Sequence, residues 1–151
     1  EFLLFKSCFI SYSHKDKRFC ERLCADLRAS GVQTWFFPED AQWGESVWGE
    51  IERGIKSHDR LIAVCSKQSL QSGPVLREIE RALQREDAER RVSGSSKQIL
   101  FPVTIDDYVF TGWQHSRKAD VLASVVGNFR GWMRSATYDA AFGRLLESLR
   151  A

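Results

Sequence analysis

The sequence has neither a long apolar run nor an excess of one charge. The longest apolar run near the N-terminus, residues 2–5, is followed at once by Lys6 and is too short to span a membrane. There is no signal-peptide pattern of a basic start with a small-residue cleavage site. The 22 Lys and Arg residues nearly balance the 20 Asp and Glu residues, so bulk electrostatics does not favour nucleic acid or a membrane surface. We therefore expect a cytoplasmic protein that binds neither.

Metal-ligand spacings are missing as well. Cys8 and Cys65 lie within strand-like runs, and Cys20 and Cys24 lie one helical turn apart with no histidine at ligand spacing. The three histidines also form no such spacing among themselves. The four cysteines are therefore expected to be buried free thiols, and no metal site is predicted.

Signatures of several common nucleotide-binding and hydrolase folds are absent. No G-x-G-x-x-G turn follows the first predicted strand, no glycine-rich run ends in Lys-Ser or Lys-Thr, and no G-x-S-x-G is present. A phosphoacceptor receiver domain would resemble this chain in architecture but carry an aspartate at the end of its third strand. Val64-Cys65-Ser66 stand there instead, which argues against that class.

What the chain does contain is an alternation of strands and helices. Its 151 residues, 43% of them apolar, suit one domain over residues 1–151, and we expect that domain to be excised from a larger protein. Apolar runs predict strands over residues 7–12, 32–37, 60–66, 99–105 and 129–132. Helical periodicity predicts helices over residues 15–30, around 47–55, from 72, over 117–124 and from 138 to 149.

This alternation predicts a parallel sheet with helices on both faces, because parallel neighbours require crossover connections. Residues 85–97 are interpreted as a frayed helix end and an exposed loop. Pro102 suggests that the fourth strand lies near an edge or is irregular. Open sheets of this kind bind ligands at the carboxyl ends of their strands. That edge gathers residues 12–15, 37–45 and 66–72, with the start of the segment after the fourth strand.

Glu78 is the most suggestive residue at this edge. The helix opened by Ser72-Gly73-Pro74 begins there, so a glutamate one turn beyond Pro74 stays close to the rim. Periodicity does not separate Glu78 from Glu80, because both flank the apolar stripe at similar angles. The alternative interpretation is a solvated glutamate beside a neighbouring arginine of the same helix.

Three segments together resemble the Toll and interleukin receptor homology (TIR) domain family, in its bacterial type. They are Phe9-Ile10-Ser11-Tyr12-Ser13 with Asp16, then residues 31–37 with the loop to Gly44, then residues 66–72 leading to Arg77-Glu78-Ile79. Order and spacing agree over about residues 7–80. The resemblance implies a flavodoxin-like three-layer α/β fold with a five-stranded parallel sheet of order 2-1-3-4-5. It also implies self-association with other TIR domains and, in many members, hydrolysis of NAD⁺ as substrate, without a cofactor.

The resemblance assigns roles to residues of this chain. The catalytic glutamate of the family's third helix falls on Glu78. The family's assembly and gating loop falls on Pro38, Glu39, Asp40, Ala41, Gln42, Gly44 and Glu45. Around them we expect substrate contacts from Ser11, Tyr12, Ser13, His14, Trp43, Trp48 and Ser72. The aromatic rings would stack on nicotinamide or adenine, or else serve packing or protein contact. The serines and the histidine would bind phosphate or ribose, with helix capping as the alternative role of Ser13 and Ser72.

One carboxylate suits this chemistry. Cleaving the bond between ribose and the cationic nicotinamide builds oxocarbenium-like charge on the ribose, which a carboxylate stabilises. Nicotinamide leaves as a neutral molecule, so a strong general acid is not required.

Two departures from the family pattern keep two functions open. Many active relatives have tryptophan four residues before the glutamate, where this chain has Pro74. The basic residue and Pro-Gly of animal signalling members are replaced by Glu39-Asp40 and Trp43-Gly44. The first hypothesis is an NAD⁺-consuming effector in defence or cell-death signalling, activated by self-association, that forms ADP-ribose or a cyclised product. The alternative is a non-catalytic module that acts through homotypic TIR-TIR contact.

Overall fold

Five parallel strands form the sheet of this protein. The computed structural model describes residue 5 and residues 7–36, 60–94 and 97–150. The order across the sheet is β2-β1-β3-β4-β5, and every neighbouring pair is parallel. This confirms the predicted flavodoxin-like order. The strands are β1 (Cys8–Ser11), β2 (Thr34–Phe36), β3 (Arg60–Cys65), β4 (Leu100–Thr104) and β5 (Gly127–Asn128).

Helices cover both faces of the sheet. On one face α1 and α5 pack against the sheet through their core residues Phe19, Leu23 and Tyr138. On the other, α2 and α4 pack over β3 and β4 through Ile79 and Val121. The three-layer prediction is therefore confirmed. The helices are α1 (Lys17–Ala29), α2 (Gly73–Ser93), α3 (Tyr108–Thr111), α4 (Lys118–Ser124) and α5 (Ser135–Ser148), with short 3₁₀ helices at His14–Asp16 and Ser69–Gln71.

Helix α2 is longer than the sequence interpretation allowed. The interpretation of residues 85–97 as a frayed end and loop was wrong over residues 85–93, which are helical. Arginine, glutamate and alanine dominate this stretch and favour helix even without an apolar stripe. Gly94 ends the helix in the left-handed conformation, with φ of 70°, and its N–H donates to the carbonyl of Arg90.

The fifth strand lies earlier than predicted. It is Gly127–Asn128, paired with Val103 and Thr104, rather than residues 129–132. Phe129, which made the later segment look strand-like, instead enters the core with its ring centroid 5.2 Å from that of Phe19. A Cβ at Gly127 would lie 2.7 Å from the Phe129 ring and 3.0 Å from Val103, so glycine is required at this crossing.

Pro102 sits where β4 lacks a second partner strand. It is paired with Ala63 of β3, while β5 pairs only from Val103 onward. The carbonyl of Pro102 accepts a hydrogen bond from Val126, so its nitrogen faces the β5 side as well. No ladder hydrogen bond is lost there, because β5 has not yet begun. The expected irregularity is thus a local edge within an interior strand.

Two predicted segments, the helix around residues 47–55 and the loop over residues 38–45, lie outside the described ranges. None of the helices in the described ranges combines the length and apolar character needed to cross a membrane. Within the same ranges, His, Cys, Asp and Glu side chains form no group of three or more that would hold a metal ion.

The four cysteines are buried thiols that form no disulfide, as predicted. Burial raises the pKa of Cys20 and Cys24, and raises that of Cys65 to about 12. We expect the folded protein to react slowly with Ellman's reagent in mildly alkaline buffer, and all four thiols to react at once in denaturant. Absorbance of the released thiolate measures both. Rapid labelling of any thiol in the folded protein would contradict this prediction.

Candidate functional site at the carboxyl edge of the sheet

Two turns meet at the end of β3 on this edge. The segment after β3 begins with Ser66 and Ser69, which are both buried and bind each other reciprocally. The N–H of Ser66 donates to Ser69 Oγ at 2.8 Å, and the N–H of Ser69 donates to Ser66 Oγ at 3.0 Å. Ser66 Oγ also donates to Asp16 Oδ2, which ties this turn to the one that follows β1. The pairing fixes the chain where it leaves the sheet.

Asp106, just after β4, holds the same segment from the other side. Its Oδ2 accepts from the N–H of Lys67 and its Oδ1 from the N–H of Tyr108, both at 2.9 Å. One carboxylate thus joins the turn after β3 to the turn after β4. The neighbouring Asp107 does not take part, because its carboxylate pairs with Arg130 on the surface.

Helix α2 runs from this edge back along the sheet. Further along this helix, Glu86 Oε2 accepts from the N–H of Ile99 and of Leu100, at 2.9 and 2.7 Å, where β4 begins. Glu78 precedes Glu86 by eight residues, or about 12 Å of helix. The described length of β4 is about 13 Å. By this helix geometry Glu78 lies near the level at which the strands end.

The glutamates of α2 have different environments. Glu78 is 6% exposed, although it lies in the second turn of an outer-layer helix. Glu80 faces α4, where Arg117 binds both of its carboxylate oxygens at 3.1 and 2.8 Å. Hydrogen bonds from Arg117 lower the pKa of Glu80, outweighing the effect of burial. Glu86 is buried but accepts hydrogen bonds from the amides at the start of β4, and Glu89 is exposed. Glu78 is the only one of them buried near the carboxyl edge.

The residues at and after the end of β1 that are predicted to contact substrate differ in their exposure. Ser11, the last residue of β1, is buried, as are Tyr12 and Ser13 after it. Tyr12 belongs to the core cluster under α1 and α5. A stacking role for Tyr12 stays a prediction that requires its ring to leave this packing. Ser13 Oγ accepts from the N–H of Lys15 at 3.4 Å, so it caps the short helix. His14 is exposed on the rim.

At the start of α2, Ser72 and Pro74 can be compared with their predicted roles. Ser72 occupies the N-cap position, but its side chain makes no capping hydrogen bond. Pro74 lies in the first helical turn, where its missing N–H costs nothing. The expected residues Trp43 and Trp48, and the loop residues 38–45, lie outside the described ranges.

Sequence reasoning missed the joining roles of Asp16, Ser66 and Asp106. The signal for Asp106 was present, because an aspartate whose side chain binds the N–H two residues later is a common turn former. No local signal predicts the bond from the N–H of Lys67 to Asp106, because Lys67 precedes Asp106 by 39 residues.

Comparisons with known proteins agree on one fold. A model of the family described as TIR domain matches residues 8–146. The TIR domains of the activated Roq1 resistosome, which directly recognises the pathogen effector XopQ, are similar at 20% identity and a TM-score of 0.51, over 95% of this chain and 81% of that one. A prokaryotic SEFIR domain is similar at 16% identity and a TM-score of 0.58, over 95% of this chain and 98% of that one. No curated protein matches the chain in sequence.

Proposed function

The chain belongs to the TIR domain family, and from that premise we propose that it cleaves the nicotinamide–ribose bond of NAD⁺. The observation that carries the proposal is the burial of Glu78 at the level where the strands end. Glutamate side chains are mostly exposed in folded proteins, as that of Glu80 is in part. Burying a carboxylate costs free energy, so the burial of Glu78 at this edge supports a role there.

The reaction needs one negative charge beside the ribose. As the bond between C1′ and the pyridinium nitrogen breaks, its electron pair stays on nitrogen and nicotinamide leaves neutral. The ribose becomes an oxocarbenium ion, which the Glu78 carboxylate stabilises by its charge. Water then adds to C1′ and loses a proton, which gives ADP-ribose, while attack by an adenine or ribose atom gives a cyclised product. Burial strengthens this stabilisation, because fewer water dipoles screen the carboxylate.

Assembly is the second part of the proposal. The Roq1 neighbour consists of TIR domains within an activated resistosome, and we propose that this chain also works in contact with further TIR domains. In that arrangement residues 38–45 serve as the assembly loop, and the chain acts in the cytoplasm in defence or cell-death signalling. Bringing copies together raises their effective concentration, so an isolated copy has low activity.

Pro74 favours a second candidate function. It stands in the first turn of α2, where many active relatives have a tryptophan, so one wall of the expected pocket is absent at that position. Under this alternative the chain is a non-catalytic TIR module that acts by homotypic contact, and Glu78 is a structural residue.

An NAD⁺ consumption assay on the full chain separates the two candidates. The chain is fused to a partner that forms a stable oligomer, and nicotinamide release is followed by chromatography across a range of protein concentrations. Loss of NAD⁺ that increases on oligomerisation supports the hydrolase. Assembly without loss of NAD⁺, at any concentration, supports the signalling module.

A further inference from the structure

We propose that Asp16 and Asp106 are positioning residues that fix the start of α2, and with it Glu78, from two neighbouring turns. The inference rests on the proposed function, because it concerns the carboxylate assigned there. Asp16 acts from the turn after β1 through Ser66 Oγ, and Asp106 acts from the turn after β4 through the N–H of Lys67.

The two aspartates hold adjacent residues of one segment. Ser66 and Lys67 are the first residues after β3, so both anchors act where the chain leaves the sheet. Asp106 is itself held by the N–H of Tyr108 through its other oxygen. Its position is therefore set by the turn after β4, and it transmits that position to the turn after β3.

A continuous series of hydrogen bonds leads from these anchors to α2. The N–H of Leu70 donates to the carbonyl of Ser66, that of Ser72 to Ser69, and that of Leu76 to Ser72, each at 3.0 Å. Together with the reciprocal Ser66 and Ser69 pair, these bonds leave the segment little freedom to shift independently of its anchors. Glu78 follows Leu76 by two residues, within the same helical turn.

Small displacements matter at this position. A misplacement of about 1 Å at a reacting centre can cost roughly a hundredfold in rate, even when its cause is distant. Asp106 acts on Glu78 through the chain, so its loss is expected to lower turnover rather than substrate binding. This distinguishes a positioning residue from a residue that contacts NAD⁺.

Asp106→Asn tests the proposal, with Asp107→Asn as the matched control. The N–H groups of Lys67 and Tyr108 bind different oxygens of Asp106, and the amide replaces one of these oxygens with an NH₂ donor, so one of the two bonds is lost. In the oligomer-fused full chain we expect kcat to fall roughly tenfold or more, with KM and the thermal midpoint nearly unchanged. Asp107→Asn alters only the surface pair with Arg130 and is expected to retain kcat. Equal kcat in the two variants, or a loss that merely follows a lowered midpoint, overturns the proposal.

Asp16 is tested by rescue. Asp16→Ala removes the acceptor for Ser66 Oγ, whereas Asp16→Asn retains an acceptor oxygen at the same place. We expect Asp16→Ala to lower kcat and Asp16→Asn to restore most of it. Loss of kcat in both variants to the same extent would contradict positioning through Ser66.

Amide hydrogen exchange provides a readout that does not depend on NAD⁺. In Asp106→Asn, exchange over residues 67–76 is expected to rise roughly tenfold while exchange in α1 and α5 stays unchanged. If the wild-type chain consumes no NAD⁺, the proposed function fails, yet this measurement still decides whether Asp106 orders the start of α2. Unchanged exchange over residues 67–76 overturns the inference even if the wild-type chain is active.

Discussion

Replacing Glu78 with glutamine is expected to reduce NAD⁺ consumption by the oligomer-fused chain by roughly a hundredfold to a thousandfold. Glutamine has nearly the same shape as glutamate, but it carries no charge to stabilise the oxocarbenium ion. Because Glu78 is almost fully buried, bulk water does not replace the lost charge. The effect should fall on kcat, measured from initial rates of nicotinamide release at saturating NAD⁺.

Glu80→Gln is the matched control for this substitution. Glu80 lies two residues further along the same helix, but its carboxylate is bound to Arg117 and is partly exposed. The variant loses a partly exposed ion pair, which contributes at most about 1 kcal/mol to stability. A loss of this size should leave kcat within about twofold of wild type. Equal activities of Glu78→Gln and wild type would exclude Glu78 as the catalytic residue.

Glu86→Ala is expected to lower the free energy of unfolding by about 2–4 kcal/mol. Glu86 is buried, and its Oε2 accepts from the N–H of both Ile99 and Leu100. Alanine leaves these two buried N–H groups without an acceptor. No hydrogen bond then offsets the cost of removing them from water. Urea unfolding followed by circular dichroism measures the change, and the slope with denaturant should stay constant.

A graded pair of variants tests the reason for that loss. Both hydrogen bonds end on one oxygen of Glu86, so the amide oxygen of Glu86→Gln can accept both and should limit the loss to about 1 kcal/mol. Glu89→Ala, on the exposed side of the same helix, should change stability by less than about 0.5 kcal/mol. If Glu86→Gln is as unstable as Glu86→Ala, the charge of Glu86 rather than its acceptor oxygen holds the start of β4.

Local patterns predicted the architecture but not all of the boundaries. Alternating strand and helix signals were enough for a parallel sheet covered on both faces, because parallel neighbours require crossover connections. The strand order 2-1-3-4-5 came from the family resemblance. The position of β5 was wrong because Phe129 has strand-like local sequence, while its place is set by contact with Phe19 of α1. The end of α2 was wrong because apolar periodicity stops before the helix does. Charged helix formers continue it to Gly94.

The candidate site was likewise predicted only in part from the sequence. Helix geometry placed Glu78 near the rim, but periodicity left it equivalent to Glu80. The two differ because Arg117, 37 residues further along the chain, pairs with Glu80. The bond from Ser66 to Asp16 likewise joins residues 50 positions apart. Contacts of this range depend on the packing of complete elements and leave no periodic trace in the sequence.

The outermost strands of the sheet are short. The described part of β2 has three residues and β5 has two, so the β5 border of the sheet offers few backbone N–H and C=O groups. A strand from another molecule would gain only a few ladder bonds by adding there. Growth of the sheet across the β5 border into another molecule is therefore disfavoured. Contact between copies, as proposed above, would then rely on other surfaces than this border, which also limits cross-β aggregation there.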